Sequence, residues 1–182
     1  MSRLDQNIKL LVQEVIEKFS EYLTQSWLLV ESKTQTLHVV DKDVLKTSYP
    51  VSTSKYGLGC EQDSFKTPVG AHKIAECIGD NYDINTIFKG RKPTGEIAAI
   101  VNEEKSTDLD LILTRILWLQ GLEEQKNCGG NVDSYQRYIY IHGTHEEGLL
   151  GKPASHGCVR MGNKDVIALY DQVSENTFVY IK

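Results

Sequence analysis

No apolar run in this 182-residue chain approaches the roughly 20 residues that a membrane span requires, and no apolar core of a secretory signal follows Met1. Residues 1–9 mix Arg3, Asp5 and Lys9 with polar side chains, and the apolar positions beyond them are interrupted by Gln13, Glu14, Glu17 and Lys18. Membrane insertion is therefore not expected, and the cytoplasm is the expected compartment. An excess of basic residues is missing too. The net charge is -5, and neutralising a phosphate backbone needs clustered Lys and Arg, so nucleic acid is excluded as a partner. The four prolines do not gather with serine into a linker, and nothing repeats, which leaves a single domain over 1–182. Cysteine is scarce as well. Four residues, Cys60, Cys77, Cys128 and Cys158, are read as free thiols, because a domain with 40% hydrophobic residues builds its core without disulfides.

The apolar residues Ile8, Leu11, Val12, Val15, Ile16, Phe19 and Leu23 recur at three-and-four spacing, so residues 1–25 hold an amphipathic helix. Its other face carries both signs of charge, which favours packing on its own domain over docking to a membrane. Short segments at 27–32, 36–41 and 44–53, rich in Val, Leu, Thr and Tyr, read as strands. Residues 56–71 contain Gly57, Gly59, Pro68 and Gly70 and predict a loop feeding a strand at 72–78. A second long loop is expected at 79–93, with Lys89, Arg91 and Lys92 in it. The stretch 109–119 fits both a helix and a strand. Residues 138–142 alternate cleanly and direct Tyr138, Tyr140 and His142 to one face of a strand. Asn163 is a candidate N-cap for a short helix carrying Val166, Ile167, Leu169, Tyr170 and Val173, and 177–181 closes the chain as a strand. The fold class is mainly β, with two helices.

Chemistry concentrates between His142 and Arg160, where Cys158 has two histidines, an arginine and several glycines around it. A thiol attacks when a base removes its proton and donors stabilise the resulting charge. His142 ranks first as that base, and His156 is its support within the Ser155-His156-Gly157-Cys158 turn. Gly157 has no side chain to obstruct a substrate carbonyl. If the backbone is extended, Arg160 shares a face with Cys158, where it can depress the thiol pKa, pair with a substrate carboxylate, or pin the loop. Zinc is a weaker reading of His142, His145, His156 and Cys158, since no Cys-x-x-Cys or His-Glu-x-x-His spacing is present. Neither a metal nor any other cofactor is expected.

These residues, His142-Gly143 followed by Ser155-His156-Gly157-Cys158-Val159-Arg160, resemble the signature of the L,D-transpeptidase (YkuD) family. Thr67-Pro68-Val69-Gly70 and the run from Arg137 to His142 extend the likeness over most of the chain from Trp27 onward. The resemblance implies an L,D-transpeptidase-like mixed β-sandwich as the catalytic core over 26–182, with the N-terminal helix outside it, and so favours a strand at 111–119. It also implies a cysteine enzyme acting on peptidoglycan tetrapeptide stems. Cys158 would attack the carbonyl of the third, L-configured centre, expel the terminal D-alanine and hold the remainder as a thioester, and carbapenems would acylate the same sulfur. Water would release a tripeptide, and an amine would give a 3-to-3 crosslink. On the same basis His142 is the base, the Gly143 carbonyl orients it, and the N–H groups of Gly157 and Cys158 stabilise the oxyanion, with Ser155 and His156 in the same loop. Arg160, Tyr140, Lys89 and Arg91 are expected at the substrate, the last two from a lid. With water as acceptor the protein is an L,D-carboxypeptidase. The alternatives are a crosslinking transpeptidase and a catalytically silent wall-binding module.

Overall fold

The computed structural model describes residues 3–182, and it is mainly β. Helix α1 (Arg3–Phe19) lays Leu11, Val12, Val15 and Phe19 against Trp27, Leu29, Val40 and Phe178, with Ile8 and Ile16 at the margin, and Leu23, expected on the helix, packs there from beyond its end. The predicted apolar stripe is the buried face. Strand β1 (Ser26–Glu31) has that helix on one side and the main core on the other, so its Trp-Leu-Leu-Val run is apolar on both faces. No helix among the described residues is long and apolar enough to cross a membrane.

Strands β2 (Thr36–Asp41), β3 (Val44–Ser52), β4 (Gly70–Ile78), β5 (Thr86–Lys89), β6 (Lys92–Ile97), β7 (Ile112–Gly121), β8 (Tyr140–Gly143), β9 (Val159–Met161) and β10 (Phe178–Ile181) complete the sheet with β1. The order is β4-β10-β1-β2-β3-β9-β8-β7-β5-β6, and an additional β4–β7 pairing closes the path on itself. The two faces of the expected sandwich are thus hydrogen-bonded at both margins. They enclose Leu28, Val30, Val51, Leu117, Ile141 and Val159, and α2 (Asn163–Tyr170) adds Val166 and Leu169 to that core. Strand β8 pairs in parallel with β9, setting Ile141 beside Val159 and His142 beside Arg160. This register carries the two halves of the motif onto adjacent strands.

Several expectations are corrected. Residues 79–93 are not one loop. They include β5 and the start of β6, a hairpin whose turn residues Gly90 and Arg91 both have positive φ, as a two-residue turn matched to strand twist requires. Every residue of β6 is exposed, so no alternation marked it. Strand β8 begins at Tyr140, and Tyr138 turns out of it with φ 56°. Asn163 is the first residue of α2, not its cap. Its buried amide instead donates to Thr144 O and Glu147 Oε1, and its Oδ1 accepts from Thr114 Oγ1.

The core also holds His72, fully buried in β4. Its Nδ1–H donates to Gly70 O, and its Nε2 accepts from Ser134 Oγ. Burial pushes this imidazole down to about 4 from 6.5, and it does the same to His142. Each native imidazole refuses a proton that the unfolded chain takes up, so the stability it contributes is present above about pH 6.5 and is lost as the pH falls toward 4. Urea unfolding should show a loss of roughly 3 kcal/mol between pH 7 and pH 5 from these two residues together. Stability unchanged over that interval would contradict their burial in the neutral form.

Candidate active site

Cys158 lies one residue before β9, partly exposed, against Phe88, Ile116, Trp118 and Tyr140. Its Sγ accepts from Tyr140 N–H at 3.3 Å and donates to Tyr138 O at 3.4 Å. The turn before it depends on glycine. Gly157 has φ +132°, its carbonyl accepts from Thr67 Oγ1, and its N–H donates to Ser155 Oγ at 3.2 Å. The same serine hydroxyl donates to Cys158 O at 2.5 Å, so Ser155 clamps the turn from both ends. One expected oxyanion donor, Gly157 N–H, is therefore engaged within the turn.

His142 is only 1% exposed, at the middle of β8. Its Nδ1 lies 2.7 Å from Gly143 O, and a carbonyl only accepts, so Nδ1 carries the hydrogen and Nε2 keeps its lone pair. Gly143 permits this by size. A Cβ there would meet Asn163 Oδ1 and Leu113 O at 2.4 and 2.8 Å. Burial holds the imidazole at about 4, neutral at pH 7, as a general base must be. The register puts His142 and Cys158 on one sheet face, two positions apart, although among the described residues no hydrogen bond joins them.

Spacing leaves Arg160 three roles, and its contacts in the fold are with two loop carboxylates. It shares that face, but it is 2% exposed, with Nη1 2.6 Å from Glu146 Oε2 and Nη2 2.6 Å from Asp110 Oδ1. Two carboxylates thus occupy the charge meant for the sulfur or for a substrate. Burial raises the thiol to about 12 and Asp110 adds to the rise, while the Tyr140 N–H hydrogen bond and the fields of Arg160 and Arg137 oppose it and are weaker, so the thiol rests protonated. Alkylation of Cys158 by iodoacetamide should accelerate about tenfold per pH unit from pH 7 to 10 with no plateau. A plateau below pH 8 would mean a preformed thiolate.

His156 is exposed. Its Nδ1–H donates to Asp110 Oδ2 at 3.1 Å, and its ring lies near Tyr56 and Phe65, so it supports the turn without touching the sulfur. Tyr140 is buried beside the thiol, and its hydroxyl accepts from Arg91 Nη1 at 3.3 Å. Arg91 reaches back from the β5–β6 turn and stacks over Trp118 and Tyr138, at 4.6 and 5.1 Å from the ring centres. Lys89, on the same hairpin, is exposed and pairs in register with Lys92. His145 shares a hydrogen bond with Thr107 Oγ1. Among the described residues no three His, Cys, Asp or Glu side chains are placed to hold a metal ion.

A cleft of about 250 Å3 opens beside the Cys158 turn, walled by Phe65, Arg137, Tyr138, Ile139 and His156. Neither this cleft nor a larger one of about 430 Å3, at Asn163 and Glu147, is lined by Cys158 or His142. Asp110, Glu146 and Arg137 were not anticipated as site residues. Arg137 falls inside the Arg-Tyr-Ile-Tyr-Ile-His run, whereas Asp110 and Glu146 are loop residues with no local pattern to mark them.

The family model described as the YkuD L,D-transpeptidase catalytic domain matches residues 25–181. The YkuD protein of Bacillus subtilis is 40% identical over 65 residues, 33% of this chain and 40% of that protein. Its Bacillus licheniformis counterpart is 37% identical over 65 residues, covering 33% of this chain and 39% of its own. Among solved structures, an L,D-transpeptidase from Mycobacterium smegmatis aligns with TM-score 0.53 and 15% identity over 87% of this chain and 58% of its own. L,D-transpeptidase 3 from Mycobacterium tuberculosis, in complex with a faropenem-derived adduct, aligns with TM-score 0.54 and 14% identity over 87% and 60%. At such identities the likeness is one of fold, and it spans less than two thirds of each of those proteins.

Proposed function

The chain belongs to the L,D-transpeptidase catalytic-domain family, and from that premise we propose that it is a cysteine acyl-enzyme acting on peptidoglycan tetrapeptide stems, with water as the usual acceptor. The observation that carries this reading is the neutral His142, locked by Gly143 O with Nε2 unprotonated, on the same sheet face as a protonated Cys158. As the sulfur bonds to the carbonyl carbon of the third residue, His142 Nε2 takes the thiol proton. The tetrahedral oxyanion draws on Cys158 N–H and on Gly157 N–H, released from its long bond to Ser155. When the C–N bond breaks, the imidazolium returns the proton to the departing D-alanine amine, leaving a thioester. Water, deprotonated by the same Nε2, then gives a tripeptide carboxylate, and the sulfur regains its proton.

Hydrolysis is preferred on the proposed compartment rather than on the shape of the site, since Cys158 does not line the cleft of about 250 Å3 beside its turn. The proposed compartment is the cytoplasm, which the four unpaired thiols support and where free stems would be the substrate. Crosslinking remains the second reading, since the matched family is one of transpeptidases and transfer shares the same acyl-enzyme. Incubation with a free tetrapeptide, with and without an acceptor stem, separates the two. Tripeptide should dominate in both reactions, and abundant crosslinked dimer with little tripeptide would reverse the assignment.

A further inference from the structure

The positive charge left unmatched at the cleft is that of Arg137. Among the described residues its guanidinium forms no ion pair, and its partners are Lys66 O at 2.7 Å with Gly59 O and Ser64 Oγ at 3.4 and 3.5 Å. It is half-buried and its hydrogen-bond partners are all neutral, and Asp63 on the same cleft acts on it only through space, so an incoming anion in direct contact would stabilise it. Arg137 also precedes Tyr138, whose carbonyl accepts from the Cys158 thiol, so the charge and the nucleophile are separated by one residue of wall.

That wall is strained. Asp63, Phe65 and Tyr138 line the cleft with φ of 60°, 56° and 56°, a region that bulky aromatic residues seldom adopt and that is retained at sites which must hold a given shape. The rings of Phe65 and His156, edge to face with centroids 6.4 Å apart, line the same cleft of about 250 Å3 as the arginine.

We propose that Arg137 is the specificity-determining residue of the acyl donor, binding a carboxylate of the peptide in a forked pair as its carbonyl reaches Cys158. The inference rests on the peptide-cleaving reading above. The carboxylate is either the terminal one on D-alanine or an internal one further up the stem.

Steady-state kinetics of the full chain on three tetrapeptides, one unmodified, one amidated at the terminal carboxylate and one amidated internally, test this. Arg137→Gln should raise KM for the unmodified peptide about 30-fold, with kcat within about threefold, and Arg137→Lys should recover part of the loss. The wild type should handle one amidated peptide as poorly as Arg137→Gln handles the unmodified one, and that peptide identifies the carboxylate. Alkylation at Cys158 should be unchanged in Arg137→Lys and only slightly slower in Arg137→Gln, as loss of the weak Arg137 field on the thiol requires, whereas a collapsed turn would change it strongly in both variants. If Arg137→Gln lowers kcat equally on all three peptides, or if the wild type tolerates both amidations, Arg137 only braces residues 59–66 and the proposal is wrong. A wild type inert on every tetrapeptide would remove the underlying reading along with it.

Discussion

Cys158→Ala is expected to abolish turnover of a tetrapeptide, by a factor on the order of 10^4 or more, because no other group at the site can form the covalent intermediate. The substitution should leave the fold intact. Cys158 is partly exposed, and its sulfur makes two long contacts with backbone groups, so the stability cost should be about 1 kcal/mol or less. Intact-mass measurement with a carbapenem provides the check. The wild type should gain one adduct and Cys158→Ala none, whereas an adduct that persists in the variant would place the nucleophile elsewhere. His142→Ala should lose most activity while keeping its thiol, since a sulfur raised to about 12 needs a base to ionise it.

The motif was legible because its parts are local and each has a chemical reason. Gly143 and Gly157 occupy positions where a Cβ or an ordinary φ does not fit. The amphipathic spacing of α1 was legible for a similar reason, since one face of a regular helix meets one core. What stayed hidden depends on interruption or distance. In β7, Leu113 pairs with Gly143 and Ile116 with His142, so three steps on one strand match a single step on the other. That irregularity, with Thr114 at φ 69°, places apolar residues three apart and imitates a helix, which is why 109–119 fitted both periods.

Electrostatics was the least legible level. From spacing alone Arg160 is a cation two residues from a thiol, and its influence on the sulfur follows only if nothing else claims it. Asp110 and Glu146 arrive from separate loops and claim both ends of the guanidinium. Spacing therefore leaves Arg160 open between lowering the thiol pKa, meeting a substrate carboxylate and pinning the loop, and the two carboxylates around it emerge only in the assembled sheet. Burial decides the protonation of both partners, and burial belongs to the assembled sheet.

Arg160→Met tests that arrangement with the largest expected change in stability. The side chain fills similar space but leaves Glu146, 2% exposed, without its cation and with Thr107 N–H as the other partner on its carboxylate. Breaking a buried pair from one side costs about 3 to 5 kcal/mol, because the remaining charge stays desolvated. The sign of the pH dependence follows. In the wild type, hydrogen bonds and the Arg160 charge outweigh burial and hold Glu146 below its ordinary carboxylate range. Without Arg160, burial should raise it above that range, so the variant regains stability relative to the wild type as the pH falls and the carboxylate takes up a proton. Urea unfolding at pH 8 and pH 5.5 should show the gap narrowing. Arg160→Met combined with Glu146→Leu removes both charges and should recover most of the loss, since a matched apolar pair has no unpaired ion to bury. A single variant that loses less than about 1 kcal/mol at pH 8 would show that Glu146 reaches water or another cation, and the network around Arg160 could then no longer explain why that arginine is unavailable to the thiol.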